Sequence, residues 1–172
     1  MNSKLNFIFN RRSIRKFTDK AVSEENITEL LEAAMAAPSA CAKDPWRFIV
    51  VRNRENLQQI AKLLPNGNFL AEAPLGIIVC GDIGAVHAGS ESYMLQDCSA
   101  AIENILLAAT ALGLGTCWLG VHPRTERITG ITNFFELPAN IVPVSVIAAG
   151  HPEKMPEKNT RFMPNNIHWE KW

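Results

Sequence analysis

The chain has 172 residues, which is enough for one domain with a sizeable core. Apolar residues make up 47% of the sequence and charged residues 20%, both ordinary values for a globular protein. Seventeen basic residues balance seventeen acidic ones, so no overall charge favours nucleic acid and any anion site must be local. The N-terminal apolar run is too short for a signal peptide, and the longest apolar stretch (residues 105–112) is too short to span a bilayer. We therefore expect a cytoplasmic protein without a membrane partner.

The first third of the chain predicts two helices. Residues 4–10 predict a short helix that leads into the arginine-rich sequence RRSIR. Ser23 is a good N-cap for a second helix, and Val22 and Ile27 are spaced for a hydrophobic staple. Apolar residues then follow helical spacing, and Pro38 is expected to end the helix.

Strands and helices alternate through the middle of the chain. The aromatic and β-branched residues 46–52 predict a strand, and residues 57–64 predict a short amphipathic helix. Residues 76–81 predict a buried strand, followed by a loop over residues 83–90. Residues 91–112 predict a long helix that is apolar on nearly all sides, which is typical of a central or interfacial helix.

The last third predicts two more strands and one helix. Residues 116–119 and 142–149 predict strands, and residues 124–130 predict a helix between them. The tail from residue 150 is rich in proline and charge and shows no core pattern before IHWEKW. Without repeats or linker composition, we predict a single domain over residues 1–172 with an α+β or three-layer α/β/α sandwich fold.

Metal and acid–base chemistry find little support in the sequence. The four cysteines, Cys41, Cys80, Cys98 and Cys117, lack zinc-ligand spacing and are expected to be reduced core thiols. The four histidines stand apart, without a paired nucleophile or a metal motif. We therefore predict no metal site and no catalytic side chain, so that an enzyme of this sequence would need a cofactor.

The cluster Arg11, Arg12, Ser13 and Arg15 is the clearest candidate for an anion site. Guanidinium groups match phosphate oxygens bidentately, and a serine hydroxyl adds a donor. Taken alone, the cluster is a weak signal, because such a charge run more often marks a solvated basic turn than a binding site. The small residues of APSA (37–40) and the glycines of GLGTCWLG (113–120) permit close approach of a flat ligand, although each also fits an ordinary connection. The order of these glycines does not match the GxGxxG dinucleotide motif.

Together these segments resemble the FMN-dependent nitroreductase family, over nearly the whole chain and in the family's order. The resemblance rests on RRSIRKF (11–17), APSACAKDPWRFIVV (37–51), QDCSAAIENILLAATALGLGTCWLG (96–120), GHPEK (150–154), Arg161 and the closing IHWEKW. It implies a mainly antiparallel sheet flanked by helices, in an intertwined homodimer that exchanges terminal segments and holds FMN at its interface.

The resemblance also implies roles for particular residues. Arg11, Arg12, Ser13 and Arg161 would bind the FMN phosphate and ribityl chain, and Arg15 would lie near the pyrimidine edge of the flavin. Pro38, Ser39 and Ala40 would come from the partner subunit to line the isoalloxazine. Trp118, Leu119 and Gly120 would lie along the ring, with a backbone N–H near Gly120 facing N5.

The activity implied is that of an NAD(P)H:acceptor oxidoreductase. NADH or NADPH would reduce the flavin by hydride transfer to N5 and leave, and a nitroaromatic or quinone-type acceptor would then take the electrons in the same slot, a ping-pong scheme. The sequence departs from the family where Asn-x-Gln-Pro-Trp is usual: Ala42 replaces the asparagine and Asp44 replaces the glutamine. This departure puts flavin affinity and acceptor preference in question.

Three other functions stay open on the sequence. The same fold could carry other flavin chemistry, such as dehalogenation, flavin fragmentation or ring dehydrogenation. The chain could also be a flavin-binding sensor without turnover, a reading to which Ala42 and Asp44 give weight. The third alternative is a basic-patch interaction protein without flavin.

Overall fold

A computed structural model of the chain describes residues 3–157 and 161–172. The helices are α1 (Asn6–Asn10), α2 (Glu24–Met35), α3 (Arg54–Leu63), α4 (Glu91–Ala111) and α5 (Thr125–Phe135). The strands are β1 (Trp46–Val51), β2 (Leu75–Asp82), β3 (Gly115–Gly120) and β4 (Ile141–Gly150). Short 3-10 turns lie at Ser3–Leu5, Ala40–Ala42, Asn68–Glu72, His87–Gly89 and Pro164–Asn166. None of the helices in the described residues is long and apolar enough to cross a bilayer.

The four strands form one antiparallel sheet in the order β1-β2-β4-β3. Alternate residues of β2 point to opposite faces. Ile77 and Val79 pack with α2 and α4, whereas Ile78 and Cys80 pack on the other face with the apolar sides of α3 and α5. The three-layer sandwich with a mainly antiparallel sheet is therefore confirmed. The long helix α4 lies against the first face, where Met94, Ile102 and Ile105 are fully buried, in agreement with its nearly all-round apolar pattern.

Local signals explain most element ends. Ser23 caps α2 by accepting a hydrogen bond from the Asn26 N–H at 3.2 Å, as predicted. The helix ends at Met35, three residues before Pro38, because the small residues between them form a turn. The predicted end of α5 at Gly130 is wrong, since the helix continues to Phe135. A side chain at Gly130 would come within 3.0 Å of Leu63, so glycine here lets α5 approach α3 and does not break the helix.

The prediction for the cysteines is correct for three of the four. Cys80, Cys98 and Cys117 are buried, and burial raises the pKa of the Cys80 and Cys98 thiols to about 12. Cys41 is exposed, because it lies in the 3-10 turn after α2, where the backbone is left-handed (φ 53°). The expectation that all four are core thiols is therefore wrong at Cys41.

A carboxylate at the end of β2 ties three segments together. Asp82 accepts hydrogen bonds from the Asn140 side chain at 2.8 Å, from the Gly84 N–H at 3.0 Å and from the Arg47 guanidinium at 2.8 Å. The Asn140 hydrogen bond is the largest of the effects that lower the pKa of Asp82 below its ordinary value. The ionised Asp82 therefore stabilises the fold at pH values above the ordinary pKa of an aspartate. This stabilisation is lost as the pH falls through the lowered pKa of Asp82.

We expect Asp82→Asn to lower the free energy of unfolding by about 1 kcal/mol near neutral pH, because it removes one charge-assisted bond and one acceptor. The loss should shrink in acid, at a pH below the lowered pKa of Asp82, where the wild-type carboxylate is itself protonated. Urea unfolding at the two pH values measures both losses. Asp19→Asn, at an exposed aspartate, is the matched control. An equal loss for Asp82→Asn at both pH values would contradict this account.

Candidate functional site

The arginine-rich segment after α1 docks against the edge strand β3. Ser13 forms a parallel bridge with Thr116, and the Ile14 N–H donates to the Thr116 carbonyl at 2.8 Å. The Ile14 side chain is buried, and a Cβ at Gly115 would lie only 2.7 Å from it. Glycine at position 115 therefore leaves the room that Ile14 occupies. This docking places Arg11, Arg12 and Arg15 beside one end of the sheet.

The three arginines make different contacts. The Arg11 Nε lies 3.8 Å from Glu103 Oε1 on α4. Arg12 donates from Nη1 to the carbonyls of Phe9 and Arg11, at 3.0 and 2.7 Å, and from Nε to the carbonyl of Glu157, at 3.2 Å. Arg12 thus links the end of α1 to the tail. The Arg15 guanidinium lies 5.9 Å from the centre of the Phe69 ring.

A pocket of about 180 Å³ lies between Arg15, the turn after α3, β3 and the first turn of α5. None of the described residues that line it is a carboxylate; they are Arg15, Leu64, Asn66, Gly67, Phe69, Cys117, Trp118, Leu119, Gly120 and Arg127. Cys117 lines this pocket, and its thiol also lies close to residues of the arginine segment. Burial raises the pKa of Cys117, while the charge of Arg15, a hydrogen bond from Ser13 and the charge of Arg11 act in the opposite direction. These groups therefore all lie close to one thiol.

The outer edge of β3 supplies backbone groups to this pocket. The carbonyl of Thr116 faces Ile14, away from β4, so Trp118 and Gly120 direct their backbone groups to the same outer side. The Gly120 carbonyl agrees with this alternation, because it accepts a hydrogen bond from Arg127 Nη1 at 2.7 Å. A Cβ at Gly120 would meet only the His122 carbonyl, at 3.9 Å, so the face of the strand at Gly120 is open.

A second, larger groove of about 490 Å³ lies on the other side of the arginine segment. Ser13, Arg15 and Lys16 line one wall, and residues of the GHPEK tail, including Glu153 and Lys154, line the other. Arg15 thus borders both spaces, whereas Arg11 and Arg12 line neither of them. Arg161 is exposed and lines neither pocket, so its predicted part in phosphate binding stays a prediction.

The structure does not bring Pro38, Ser39 and Ala40 to these pockets within one chain. They lie in a loop that hydrogen bonds hold closed between α2 and β1. The Ser39 hydroxyl donates to Asp44 Oδ1 at 2.5 Å and accepts from the Asp44 N–H at 3.0 Å, and the Ala42 N–H donates to the Ser39 carbonyl at 3.1 Å. Asp44, one of the two departures from the family pattern, thus has a local structural role in closing the loop.

A buried carboxylate on α4 anchors the same loop. Asp97 is 5% exposed, and its Oδ1 accepts from the Ala40 N–H at 2.9 Å, while Oδ2 has no hydrogen-bond partner among the described residues. Replacing Asp97 with leucine would leave the Ala40 N–H without its acceptor, a loss of roughly 1.5–3 kcal/mol for a bond to a charged group.

We expect Asp97→Leu to speed amide hydrogen exchange across residues 39–44 by about 10- to 100-fold. The reason is that the loop can then open without breaking the hydrogen bond between Ala40 and Asp97. Asp97→Asn keeps an oxygen acceptor at this position and should stay within about threefold of wild type. Hydrogen exchange followed by mass spectrometry measures both variants. Unchanged exchange of the loop in Asp97→Leu would show that this bond does not anchor it.

Several site residues carried no separate signal in the sequence. Asn66 and Gly67 fit a plain turn, and Arg127 lies in a predicted helix like any other charged residue. The positions of Phe69 and Arg127 depend on how α3 and α5 pack beside β3, which no local pattern encodes. Cys117 lies within a quoted motif, but its contact with Ser13 depends on the docking of the N-terminal segment.

Comparison with known proteins adds independent information. The model of the nitroreductase family matches residues 8–67 and 61–151. A relative from Methanothermobacter thermautotrophicus, with the provisional name NADH dehydrogenase/NAD(P)H nitroreductase, is 47% identical over 98% of this chain and 87% of its own length. An FMN reductase (NADPH) of Bacillus subtilis is 25% identical over 99% of this chain and 74% of its own length.

Solved structures give the same result. A protein of Desulfovibrio desulfuricans, provisionally named a nitroreductase and solved in complex with FMN, has a TM-score of 0.85 and 34% identity, covering 100% of this chain and 99% of that one. An FMN-dependent nitroreductase of Clostridium difficile has a TM-score of 0.90 and 28% identity, covering 98% and 99%. The chain accordingly has the fold of these proteins and belongs to the nitroreductase family.

Proposed function

We propose that this protein is an FMN-dependent NAD(P)H:acceptor oxidoreductase that reduces nitroaromatic or quinone-type compounds by a ping-pong scheme. The family membership carries the coarser statement: the chain is an NAD(P)H-dependent flavin oxidoreductase with FMN as its cofactor. The observation that best supports the finer proposal is the docking of RRSIR against the outer edge of β3. It gathers the positive charges and the outward-facing backbone donors in one place.

The residues present fit the cofactor. FMN carries a phosphate, which needs cationic donors, and a planar ring, which needs an open apolar face with a few polar partners. Arg15 lines the pocket of about 180 Å³ in front of β3, and Arg11 and Ser13 lie beside it, close to the Cys117 thiol. None of the described residues that line this pocket carries a carboxylate. The open space at Gly120 gives room for a ring to approach the backbone.

In this proposal each residue has a separate task. Arg11, Arg12 and Ser13 hold the phosphate and ribityl chain, and Arg161 completes the phosphate site. Bound FMN supplies the chemistry by accepting two electrons from NADH or NADPH and giving them to the acceptor. Arg15 stabilises the negative charge of the reduced cofactor, and the Gly120 N–H orients the ring. No side chain needs to act as acid or base.

We further propose that the chain, one domain over residues 1–172, works as a homodimer with exchanged termini. The support comes from apolar surface that a monomer leaves uncovered. In the tail, Phe162 is 75% exposed, Trp169 83% and Trp172 100%. Large apolar side chains that stand this exposed in one tail are typical of a contact with another chain.

Two apolar grooves of the chain fit such an exchange. One lies across α1, α2 and α4, with Phe7, Ile8 and Leu107 in its lining. The other lies beside the edge strand β1, with Met35 and Phe48 in its lining, and an edge strand is stable when another segment covers it. In the dimer, Pro38, Ser39 and Ala40 of one subunit would complete the flavin site of the other.

Steady-state kinetics tests the proposed activity. Rates are measured with NADH or NADPH against menadione and a nitrofuran, each acceptor at several concentrations. A ping-pong scheme predicts parallel double-reciprocal lines, because reductant and acceptor react in separate half-reactions. A protein that is reduced by NAD(P)H but fails to pass electrons to either acceptor would contradict the proposal and favour a flavin sensor.

A further inference from the structure

We propose that Arg127 is a positioning residue of the flavin site, which holds the Gly120 carbonyl and makes the site prefer reduced over oxidised FMN. The inference rests on the proposed function, because it takes FMN to lie along β3. The resemblance to the family gave Arg127 no role, and its assignment comes from the contacts of this chain.

Arg127 contacts the backbone at the end of β3. Arg127 lies in the first turn of α5, and its Nη1 donates to the Gly120 carbonyl at 2.7 Å. A residue in an extended strand directs its N–H and its carbonyl to the same side, which for Gly120 is the outer edge. Without a donor, this carbonyl would present a partial negative charge next to the N–H that would contact the ring. Because Arg127 donates a hydrogen bond to this carbonyl, the Gly120 N–H is the polar backbone group that remains to face the pocket.

The guanidinium of Arg127 also brings a positive charge to the pocket. Arg127 and Arg15 line the same pocket, in which none of the lining residues that the structure describes is a carboxylate to balance them. Among the described residues, Arg127 has no ion pair within 4.0 Å, and its Nε is buried without a hydrogen-bond partner. A half-buried and unneutralised guanidinium favours a ligand that gains negative charge. FMN gains negative charge on reduction, so Arg127 should stabilise the reduced form more than the oxidised one.

The chain offers a matched control for this charge. Arg124, the residue just before α5, is exposed and lines neither the pocket in front of β3 nor the groove beside the tail. Arg124→Gln removes the same charge from the same segment without touching Gly120. Arg127→Lys keeps the charge, whereas Arg127→Gln and Arg127→Met remove it. All three Arg127 variants retain an aliphatic stem, which limits the loss of packing.

The test is an anaerobic redox titration of FMN-loaded protein against a reference dye, with oxidised FMN affinity and thermal stability measured in parallel. Arg127→Gln should lower the ratio of reduced to oxidised FMN affinity about tenfold, which lowers the two-electron potential by about 30 mV. Oxidised FMN affinity should fall by less than about fivefold, the effect expected from one peptide hydrogen bond. Arg127→Lys should restore most of the potential, and Arg124→Gln should match wild type.

Each other result has a defined meaning. An unchanged potential in Arg127→Gln, with reduced thermal stability, would overturn the inference and leave Arg127 as a brace between α5 and β3. An equal fall of potential in Arg124→Gln would overturn it too, because the effect would then be a general one of charge. If Arg127→Gln does not fold, Arg127→Met carries the same comparison with Arg127→Lys. Wild-type protein that binds no FMN would instead refute the proposed function.

Discussion

Replacing Arg11 with alanine is expected to remove most of the FMN, with a fall in affinity of about 10- to 100-fold. The physical reason is the loss of one charge-assisted contact to phosphate, worth roughly 1.5–3 kcal/mol. The ion pair that Arg11 forms in the chain, 3.8 Å from Glu103, is long and partly exposed, so its loss costs little stability. FMN affinity is measured by fluorescence titration of apoprotein, since binding quenches the flavin.

Arg15→Ala should behave differently. We expect it to retain more FMN than Arg11→Ala and to be reduced by NAD(P)H at least about tenfold more slowly, because the lost charge is the one that stabilises the reduced cofactor. Stopped-flow reduction measures the rate. Lys20→Ala, at an exposed lysine near the same segment, is the control for a change in overall charge. Equal FMN loss in Arg11→Ala and Arg15→Ala would refute the division of roles.

Removal of residues 162–172 is expected to have the largest effect on assembly. The deleted tail carries Phe162, Trp169 and Trp172, and burial of each such side chain in a partner would contribute roughly 1.5–3 kcal/mol. The dimer should therefore weaken at least about 1000-fold, and FMN should be lost with it, because each site needs the partner's loop. Light scattering after size-exclusion chromatography measures the mass.

The control for the truncation is Glu170→Ala, which changes an exposed charge within the same tail and should leave the dimer intact. A truncated protein with the mass and FMN content of wild type would show that the tail does not bind the partner. A wild-type protein that elutes as a monomer and still binds FMN would contradict the proposed dimer itself.

The layers of the fold could be predicted because burial leaves a periodic record in the sequence. The run GIIVCG is apolar at every position because β2 is covered on both faces. The helix α4 lacks a polar side because α1 and α2 pack against it in addition to the sheet. Gly130 was misleading for a related reason. Its local signal suggests a helix end, whereas packing against Leu63 decides its place within α5.

The site was only partly predictable. Arg11, Ser13 and Arg15 lie in one short motif, and the docking of Ile14 on β3 keeps them together. Asp97 reaches Ala40 across 57 positions of the chain, and Arg127 reaches Gly120 only because α5 folds back beside the end of β3. Neither contact leaves a pattern in the sequence. Asp44 is a similar case, because only its hydrogen bond with Ser39 explains why a carboxylate stands where the family usually has an amide.

The absorption spectrum of the purified protein tests the central claim most directly. If Arg11, Ser13 and the β3 edge form a flavin site, the protein should be yellow as isolated or after addition of FMN. Its flavin absorption should be bleached by NADH or NADPH in the absence of oxygen, and air or a quinone should restore it. A colourless protein that takes up no FMN, or a bound flavin that neither nicotinamide reduces, would contradict the account.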